Sequence, residues 1–390
     1  MPRFFVSTLG CKLNQHDSSR AEGALLARGF EPAERPEDAD LILLNTCTVT
    51  ARADADARRL ARRFRRLNPS ARIVATGCYA EREPEALDRL GVLDDLVGLR
   101  QRDRLGEVLT GEPGPCGVDE APVRLRESAR ALVRVQEGCD LRCSYCVIPQ
   151  VRGPSRSVSA QDVIEEVCAL AARGVREVGL TGINTGAWGA DLQPRRRLAD
   201  LLAQLVSETS GVRIRLNSVE PPKLDEALIE LVAAHPDRLV PHLHVPLQSG
   251  SDAVLARMAR PYRATDYRRA VDRAAARIPH LGLGADVMTG FPGETEHDHR
   301  TTRALLSDLP VTYLHVFSYS RRPGTRAASL GPPVPERVAG ERTRALRALG
   351  AGKAEAFRRS LLGQVRPSLT LHARAADGSV RALTDNYVEV

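Results

Sequence analysis

The sequence predicts an α/β protein in two successive parts, an open parallel sheet followed by a partial or full (β/α) barrel of six units, closing in a short β tail. Three observations predict it. Short apolar β-type runs alternate with helical patterns from the first residues onward, the alternation breaks at a turn-rich stretch near Gly111, and it resumes from Ala131. Alternating strands and helices give parallel sheets with helices on their faces. Polar or glycine-rich clusters follow the strand candidates, as expected where ligands bind beyond the carboxyl ends of strands.

Length and composition bound the function. At 390 residues the chain is too long for one ordinary core, so two or three domains are expected. No apolar run approaches the length of a membrane span. The first residues enter a strand-like segment without a signal-peptide core, which points to a cytoplasmic protein. The net charge of +7 leans toward a polyanionic partner, and it is almost all arginine, since Lys12, Lys223 and Lys353 are the only lysines. Eight cysteines in such a chain argue for metal or redox chemistry rather than disulfides.

In the first part, residues 1–110, strands are expected at Phe4 to Thr8, Leu41 to Asn45, Ile73 to Thr76 and Leu93 to Val97, with helices at Ser19 to Arg28 and Ala57 to Leu67. Cys11, Cys47 and Cys78 each lie just past the carboxyl end of a different strand, so they converge on one rim of the sheet although far apart in sequence. That makes a three-thiolate site. The helix at Ala57 to Leu67 turns Ala57, Leu60, Ala61, Phe64 and Leu67 to the core. Its six arginines from Arg58 to Arg66, read as lacking acidic partners, form a charged face expected to be solvated at most positions, with RNA phosphate as the alternative contact.

The stretch at 111–128 reads as a linker carrying Cys116 outside any motif. The barrel, 129–361, has strand candidates at Ala131 to Gln136, Glu177 to Thr181, Arg213 to Ser218, Leu239 to Val245, Leu283 to Met288 and Thr312 to Phe317. Cys168, in a helical pattern, is expected in the core. A long helix at Pro335 to Leu361 precedes the tail, 362–390, where Ser368 to Ala373 alternates, Asp377-Gly378 signals a hairpin, and Val380 to Leu383 and Tyr387 to Val390 could pair.

The densest motif opens the barrel. Cys139, Cys143 and Cys146 stand in C-x3-C-x2-C spacing on a glycine-led loop, so one short segment can close on one metal centre. Soft thiolates suit iron–sulfur clusters or zinc. A structural zinc site normally closes with four ligands, and no fourth Cys or His follows within the next turn; an iron–sulfur cube held by three thiolates leaves one iron open for a ligand.

With Tyr145 before its last cysteine, this motif resembles the cluster-binding motif of radical S-adenosylmethionine (SAM) enzymes. Joined to the first triad, it makes the chain similar, over nearly its whole length, to the radical-SAM methylthiotransferases. The stretches Thr8-Leu9-Gly10-Cys11-Lys12-Leu13-Asn14-Gln15 and Ser144 to Pro149, followed by Arg152 to Ser157, look most like the MtaB-type branch, which acts on N6-threonylcarbamoyladenosine in tRNA. The resemblance implies a flavodoxin-like N-terminal sheet, a radical-SAM (β/α)6 partial barrel and a C-terminal TRAM domain, here cut short to a partial TRAM-like segment.

It also implies two [4Fe-4S] clusters and SAM as cofactors. Cys139, Cys143 and Cys146 would hold the cluster that cleaves SAM to a 5′-deoxyadenosyl radical, and Cys11, Cys47 and Cys78 the auxiliary cluster that carries sulfur. A radical suits the unactivated C2–H bond of adenine, which no protein base removes at neutral pH. By position in the motifs, Gly182, Asn184, Ser218, Glu220, Gln248, Ser249 and Thr289 at the barrel rim are nominated to hold SAM. Arg152, Arg156, Arg321 and Arg322 are nominated to meet the substrate's carboxylate, for which arginine's bidentate fork is suited. The expected partners are tRNA, an electron donor and a sulfur source. The alternatives are the branches that act on isopentenyladenosine in tRNA or on a ribosomal-protein aspartate, and an RNA-binding protein with two structural zinc sites.

Overall fold

The computed structural model describes residues 1–111, 121–125, 130–371 and 377–390. Cys116 and most of the expected linker lie outside the described residues. The chain divides into two units: Met1–Arg126 with Cys146–Pro154, and Glu127–Tyr145 with Ser155–Val390. The nine residues after Tyr145, which the sequence alone places in the barrel, therefore group with the N-terminal unit.

The N-terminal unit is a five-stranded parallel sheet: β1 (Arg3–Thr8), β2 (Glu31–Pro32), β3 (Leu41–Thr46), β4 (Arg72–Gly77) and β5 (Asp95–Val97), in the order β2-β1-β3-β4-β5. This is the flavodoxin-like order. β3 is buried along its whole length, with Leu41 and Leu43 facing one core and Ile42 and Leu44 the other. Being covered on both faces, it reads as a continuous apolar run. Edge strand β2 is exposed at both residues and carries no apolar signal.

Helix α1 (Lys12–Ala27) starts seven residues earlier than the sequence suggested. Its first turns bury Asn14, His16 and Ser18, so polar residues stand where the hydrophobic period would have marked the helix. Helix α2 (Ala51–Leu67) also starts earlier, at Thr50, whose hydroxyl accepts from the Ala53 amide at 3.1 Å. Ala57, Ala61 and Phe64 are buried on it as expected. Its arginine face is a correction: Arg59 pairs with Asp56 at 2.8 Å, Arg65 with Asp94 at 2.5 Å, and Arg58 reaches the Tyr79 hydroxyl. Arg62, Arg63 and Arg66 are exposed.

The second unit holds β6 (Arg130–Arg134), the short antiparallel pair β7 (Gln136–Glu137) and β8 (Arg156–Ser157), then β9 (Glu177–Thr181), β10 (Arg213–Leu216), β11 (His242–His244), β12 (Gly282–Thr289) and β13 (Tyr313–Ser318). Sheets β6-β9-β10 and β11-β12-β13 are parallel and are joined by a parallel bridge between Ile214 and Leu239. With helices between successive strands this is the expected six-stranded partial barrel. Cys168 is a correction: it lies on the exposed side of helix Ala160–Ala172, where alternate faces bury Val163, Ile164, Val167 and Leu170.

After helix Glu336–Ser360, β14 (Ser368–Thr370) and β15 (Ala382–Thr384) pair antiparallel, and Tyr387 to Val390 makes only a bridge, Leu383 to Glu389. This tail closes the amino-terminal end of the barrel. Arg215 of β10, fully buried, is paired with Glu177 of β9 and donates to the carbonyls of Asp385 (3.0 Å) and Thr384 (3.2 Å). The Tyr387 ring stacks on His242 at 4.3 Å and lies 5.3 Å from the Arg215 guanidinium. Gly282 is required at the start of β12, because a Cβ there would sit 2.1 Å from the Asn386 carbonyl oxygen.

Candidate active site

At the carboxyl ends of β1, β3 and β4 the N-terminal unit brings Cys11, Cys47 and Cys78 together. Gly10, at φ +98°, turns the chain out of β1 so tightly that a Cβ on it would lie 2.9 Å from Cys47 Sγ. Asn14 is the hub: its amide nitrogen donates to the carbonyls of Leu9 (2.8 Å) and Thr46 (3.0 Å), which leaves its Oδ1 turned to the thiols, 3.9 Å from both Cys11 Sγ and Cys78 Sγ. Cys11 is the N-cap residue of α1. Burial pushes the Cys47 thiol up to about 11, with Cys78 and Cys11 adding to the rise against a backbone donor at Val49. Burial raises Cys78 as well, and Arg152 opposes it.

In the second unit Cys139 and Cys143 lie on the loop after β7, and Cys146 begins the segment that groups with the N-terminal unit. Burial raises the Cys139 thiol. Cys143 Sγ accepts from Arg260 Nη1 at 3.1 Å; the same guanidinium pairs with Glu220 and donates to the Tyr262 hydroxyl at 3.0 Å. Tyr145 packs edge-on against Phe291 at 6.4 Å, and the Ser144 backbone is held by the Met258 carbonyl (2.9 Å) and the Ala327 amide (2.8 Å). Arg260 had no signal in the sequence, since it lies 117 residues from the cysteine it touches.

The other nominated rim residues divide. Gly182 approaches Gln136 so closely that a Cβ would meet its carbonyl and side-chain oxygens at 2.9 Å, and the Asn184 amide donates to Gln136 Oε1 at 2.9 Å. Asn184 Oδ1 and Gln248 Oε1, with Thr185 Oγ1, are buried without a hydrogen-bond partner among the described residues. Gln248 is held at φ +66°. Burial pushes Glu220 up despite Arg260. Ser249 and Thr289, by contrast, are fully buried with their hydroxyls committed to Thr302 and Thr343.

Ser218 lies in a group that sequence reasoning missed. Its Oγ is 2.8 Å from His244 Nδ1, His244 Nε2 is 3.0 Å from Asp286 Oδ1, and His315 Nδ1 is 3.3 Å from the same oxygen. Burial would raise Asp286, but the two imidazoles hold it well below the usual carboxylate range. These four residues come from four strands or strand ends, and together they make one polar wall.

The arginines nominated for a carboxylate also divide. Arg156 and Arg321 are exposed, the first 3.7 Å from Glu137 and the second donating to the Ala328 carbonyl. Arg322 is buried. Arg152 is fully enclosed in the N-terminal unit, donating to Asn14 Oδ1 at 2.7 Å and to Asp17 Oδ2 at 3.0 Å. Its guanidinium is thus committed to Asn14 and Asp17 and is not open to a substrate carboxylate as expected.

Residues 3–98 match the family model described as Uncharacterized protein family UPF0004, and residues 133–306 match the Radical SAM superfamily. The chain is 34% identical to the threonylcarbamoyladenosine tRNA methylthiotransferase MtaB of Aquifex aeolicus, over 98% of this chain and 95% of that one. It is 39% identical to the tRNA-2-methylthio-N(6)-dimethylallyladenosine synthase of Chloroflexus aurantiacus, over 89% of this chain and 77% of that one. The chain belongs to the radical-SAM methylthiotransferase family. In fold this methylthiotransferase is also similar to the radical SAM methyltransferase TsrM of Kitasatospora setae, with a TM-score of 0.61 at 18% identity over 84% of this chain and 77% of that one.

The family's cofactors are [4Fe-4S] clusters and SAM, and the residues of the methylthiotransferase fit them. Burial opposes ionisation of the Cys47 and Cys78 thiols, so a cationic core is needed before both can be thiolates, and iron supplies it. The unpartnered oxygens of Asn184 and Gln248 would each cost about 1–3 kcal/mol if left so, and donors on a bound polar ligand would satisfy them. Two structural zinc sites, the other reading of the cysteines, are set aside with the family. Gly10→Ala tests the N-terminal site: the added methyl is strained at φ +98° and collides with Cys47. The purified variant is expected to lose roughly half its iron, one of two four-iron clusters, by elemental analysis; full iron would contradict the placement.

Proposed function

We propose that this methylthiotransferase acts on tRNA, inserting a methylthio group at C2 of N6-threonylcarbamoyladenosine at position 37, beside the anticodon. The observation that carries the substrate choice is the polar barrel wall of Ser218, His244, Asp286 and His315. A threonylcarbamoyl group, with its urea, hydroxyl and carboxylate, exchanges hydrogen bonds with such a wall. A dimethylallyl group would leave it desolvated and unpaired, which is costly. The 34% identity to the Aquifex relative, over 98% of this chain and 95% of that one, supports the same reading.

When bound, the Cys139/Cys143/Cys146 cluster and SAM supply one-electron cleavage chemistry, and the Cys11/Cys47/Cys78 cluster carries the sulfur. The chain's own residues orient and enclose. Arg260, fixed by Glu220 and Tyr262, holds Cys143 in place. Asn184 and Gln248 accept from SAM, Gly182 lets the backbone come close, and Ser218 and Glu220 act through His244 and Arg260. Ser249 and Thr289 act from behind, fixing the loops that carry the rim. Tyr387 and the tail keep water from entering the barrel by its amino-terminal end. Arg156 and Arg321, both exposed, are the candidates to meet the carboxylate of the threonyl group. An electron donor and a sulfur source complete the reaction, which takes place in the cytosol with its tRNA. Among the described residues no helix is long and apolar enough to cross a membrane.

The test is nucleoside mass spectrometry of tRNA from cells that carry the wild-type chain, Cys47→Ala, or neither. Wild type is expected to convert threonylcarbamoyladenosine to its 2-methylthio form. Cys47→Ala is expected to give none while still cleaving SAM, because it loses a buried ligand of the sulfur-carrying site only. Methylthiolation of dimethylallyladenosine instead would overturn the substrate choice, and wild-type product from Cys47→Ala would overturn the role of the N-terminal triad.

A further inference from the structure

We propose that Arg152 is a positioning residue of the N-terminal cluster site, where its buried guanidinium offsets the charge of the three thiolates and raises the reduction potential of the cluster they hold. The inference rests on the reading of Cys11, Cys47 and Cys78 as cluster ligands. It assigns a role to a side chain that sits in the sequence just after the other triad.

The geometry is specific. The Arg152 side chain is completely enclosed, and its Nη2 donates to Asn14 Oδ1 (2.7 Å) and Asp17 Oδ2 (3.0 Å). Asn14 cannot turn away, because both its amide hydrogens are engaged by the carbonyls of Leu9 and Thr46. Its Oδ1 thus lies between the guanidinium and the thiols, 3.9 Å from Cys11 Sγ and from Cys78 Sγ. Arg152 also lies near enough to Cys78 to oppose the rise that burial imposes on its thiol. Val147 and Val151, from the same segment, pack with Cys78 in one buried cluster, so the arginine is delivered on a rigid support. On its far side Asp17 is shared with Arg102 at 3.7 Å, so two cations face one carboxylate and a net positive charge remains toward the thiols.

A cluster held by three thiolates becomes more negative with each added electron, and in a buried site that charge is not screened by water. A fixed cation favours the reduced form; charge and burial are recognised means by which a protein sets cluster potentials. An anionic sulfur carried on the open iron would gain from the same cation. Lysine would retain the charge and lose the two-pronged donation.

The test is a redox titration of the holoenzyme followed by electron paramagnetic resonance. Added SAM perturbs the Cys139/Cys143/Cys146 cluster, so the signal insensitive to SAM reports the N-terminal site. Arg152→Gln is expected to move that signal to lower potential by at least a factor of ten in the one-electron equilibrium, about 59 mV. Arg152→Lys recovers part of the shift. Asp17→Asn, which removes the carboxylate that draws Arg152 back, is expected to move it the opposite way. Damage to the fold would not give opposite signs. Equal potentials in all variants, or shifts of one sign, overturn the proposal; if Arg152→Gln fails to load iron, the sign of Asp17→Asn decides. Absence of any SAM-insensitive cluster signal from the wild type would instead overturn the cluster reading of the triad itself.

Discussion

Cys143→Ala is expected to form no 5′-deoxyadenosine from SAM under reducing conditions, while keeping the iron held by Cys11, Cys47 and Cys78. Cys143 is one of three thiols on the motif and the one that Arg260 grips at 3.1 Å. With only two thiolates left, the cube loses an iron anchor. Arg260 and Glu220 then face a gap where a charged partner stood, inside a pocket shared with Tyr262. The loss is therefore complete rather than graded. Chromatographic assay of 5′-deoxyadenosine, paired with iron analysis, checks it; wild-type product from the variant would remove the basis for radical-SAM chemistry at this motif.

The largest effect on stability is expected at Glu177. Its carboxylate is fully buried and meets Arg215 at 2.8 Å, Arg213 at 2.7 Å and Arg130 at 2.9 Å. Glu177→Gln leaves three guanidinium groups without their common anion, and breaking a buried pair by removing one partner costs about 3–5 kcal/mol. In a unit of this size that lowers the unfolding midpoint by on the order of 10 °C, to be read by circular dichroism. Acid should do the same. Burial would raise the Glu177 carboxyl, but the arginines outweigh it and hold it below its ordinary value of 4.5. A depressed folded-state value stabilises above the unfolded one and is lost as pH falls through the folded one. The wild type should thus lose stability progressively below about pH 4.5, and Glu177→Gln should lose less over that range. An unchanged midpoint in the variant would sink this account.

What the sequence made legible was what neighbouring residues encode. Cys11, Cys47 and Cys78 could be placed on one rim because each follows its own apolar run, and strand ends in a parallel sheet share an edge. The motif of Cys139, Cys143 and Cys146 was legible for the same reason. What stayed hidden is assembled across strands. Ser218, His244, Asp286 and His315 are separated by 26 to 42 residues between hydrogen-bonded partners, and only Ser218 stands in a motif. Arg152 was visible but misassigned: its place in the chain suggested an open rim, whereas residues 146–154 fold into the N-terminal unit. On helix Ala160–Ala172 the polarity of Cys168 gave no sign of its face. The tail was expected as a short β segment, and its buried contacts to Arg215 and His242 could not be read from its alternation.

Those contacts set a schedule for synthesis. The strands that bear Glu177, Arg215 and His242 leave the ribosome well before Asp385 and Tyr387, and the last barrel strand ends at Ser318. Until some seventy further residues have been made, the base of the barrel stays wet, and Arg215 lacks the two carbonyls that finally receive it. Contacts of such long sequence separation form slowly. The barrel's amino-terminal end is therefore covered only when the tail docks on Arg215 and His242.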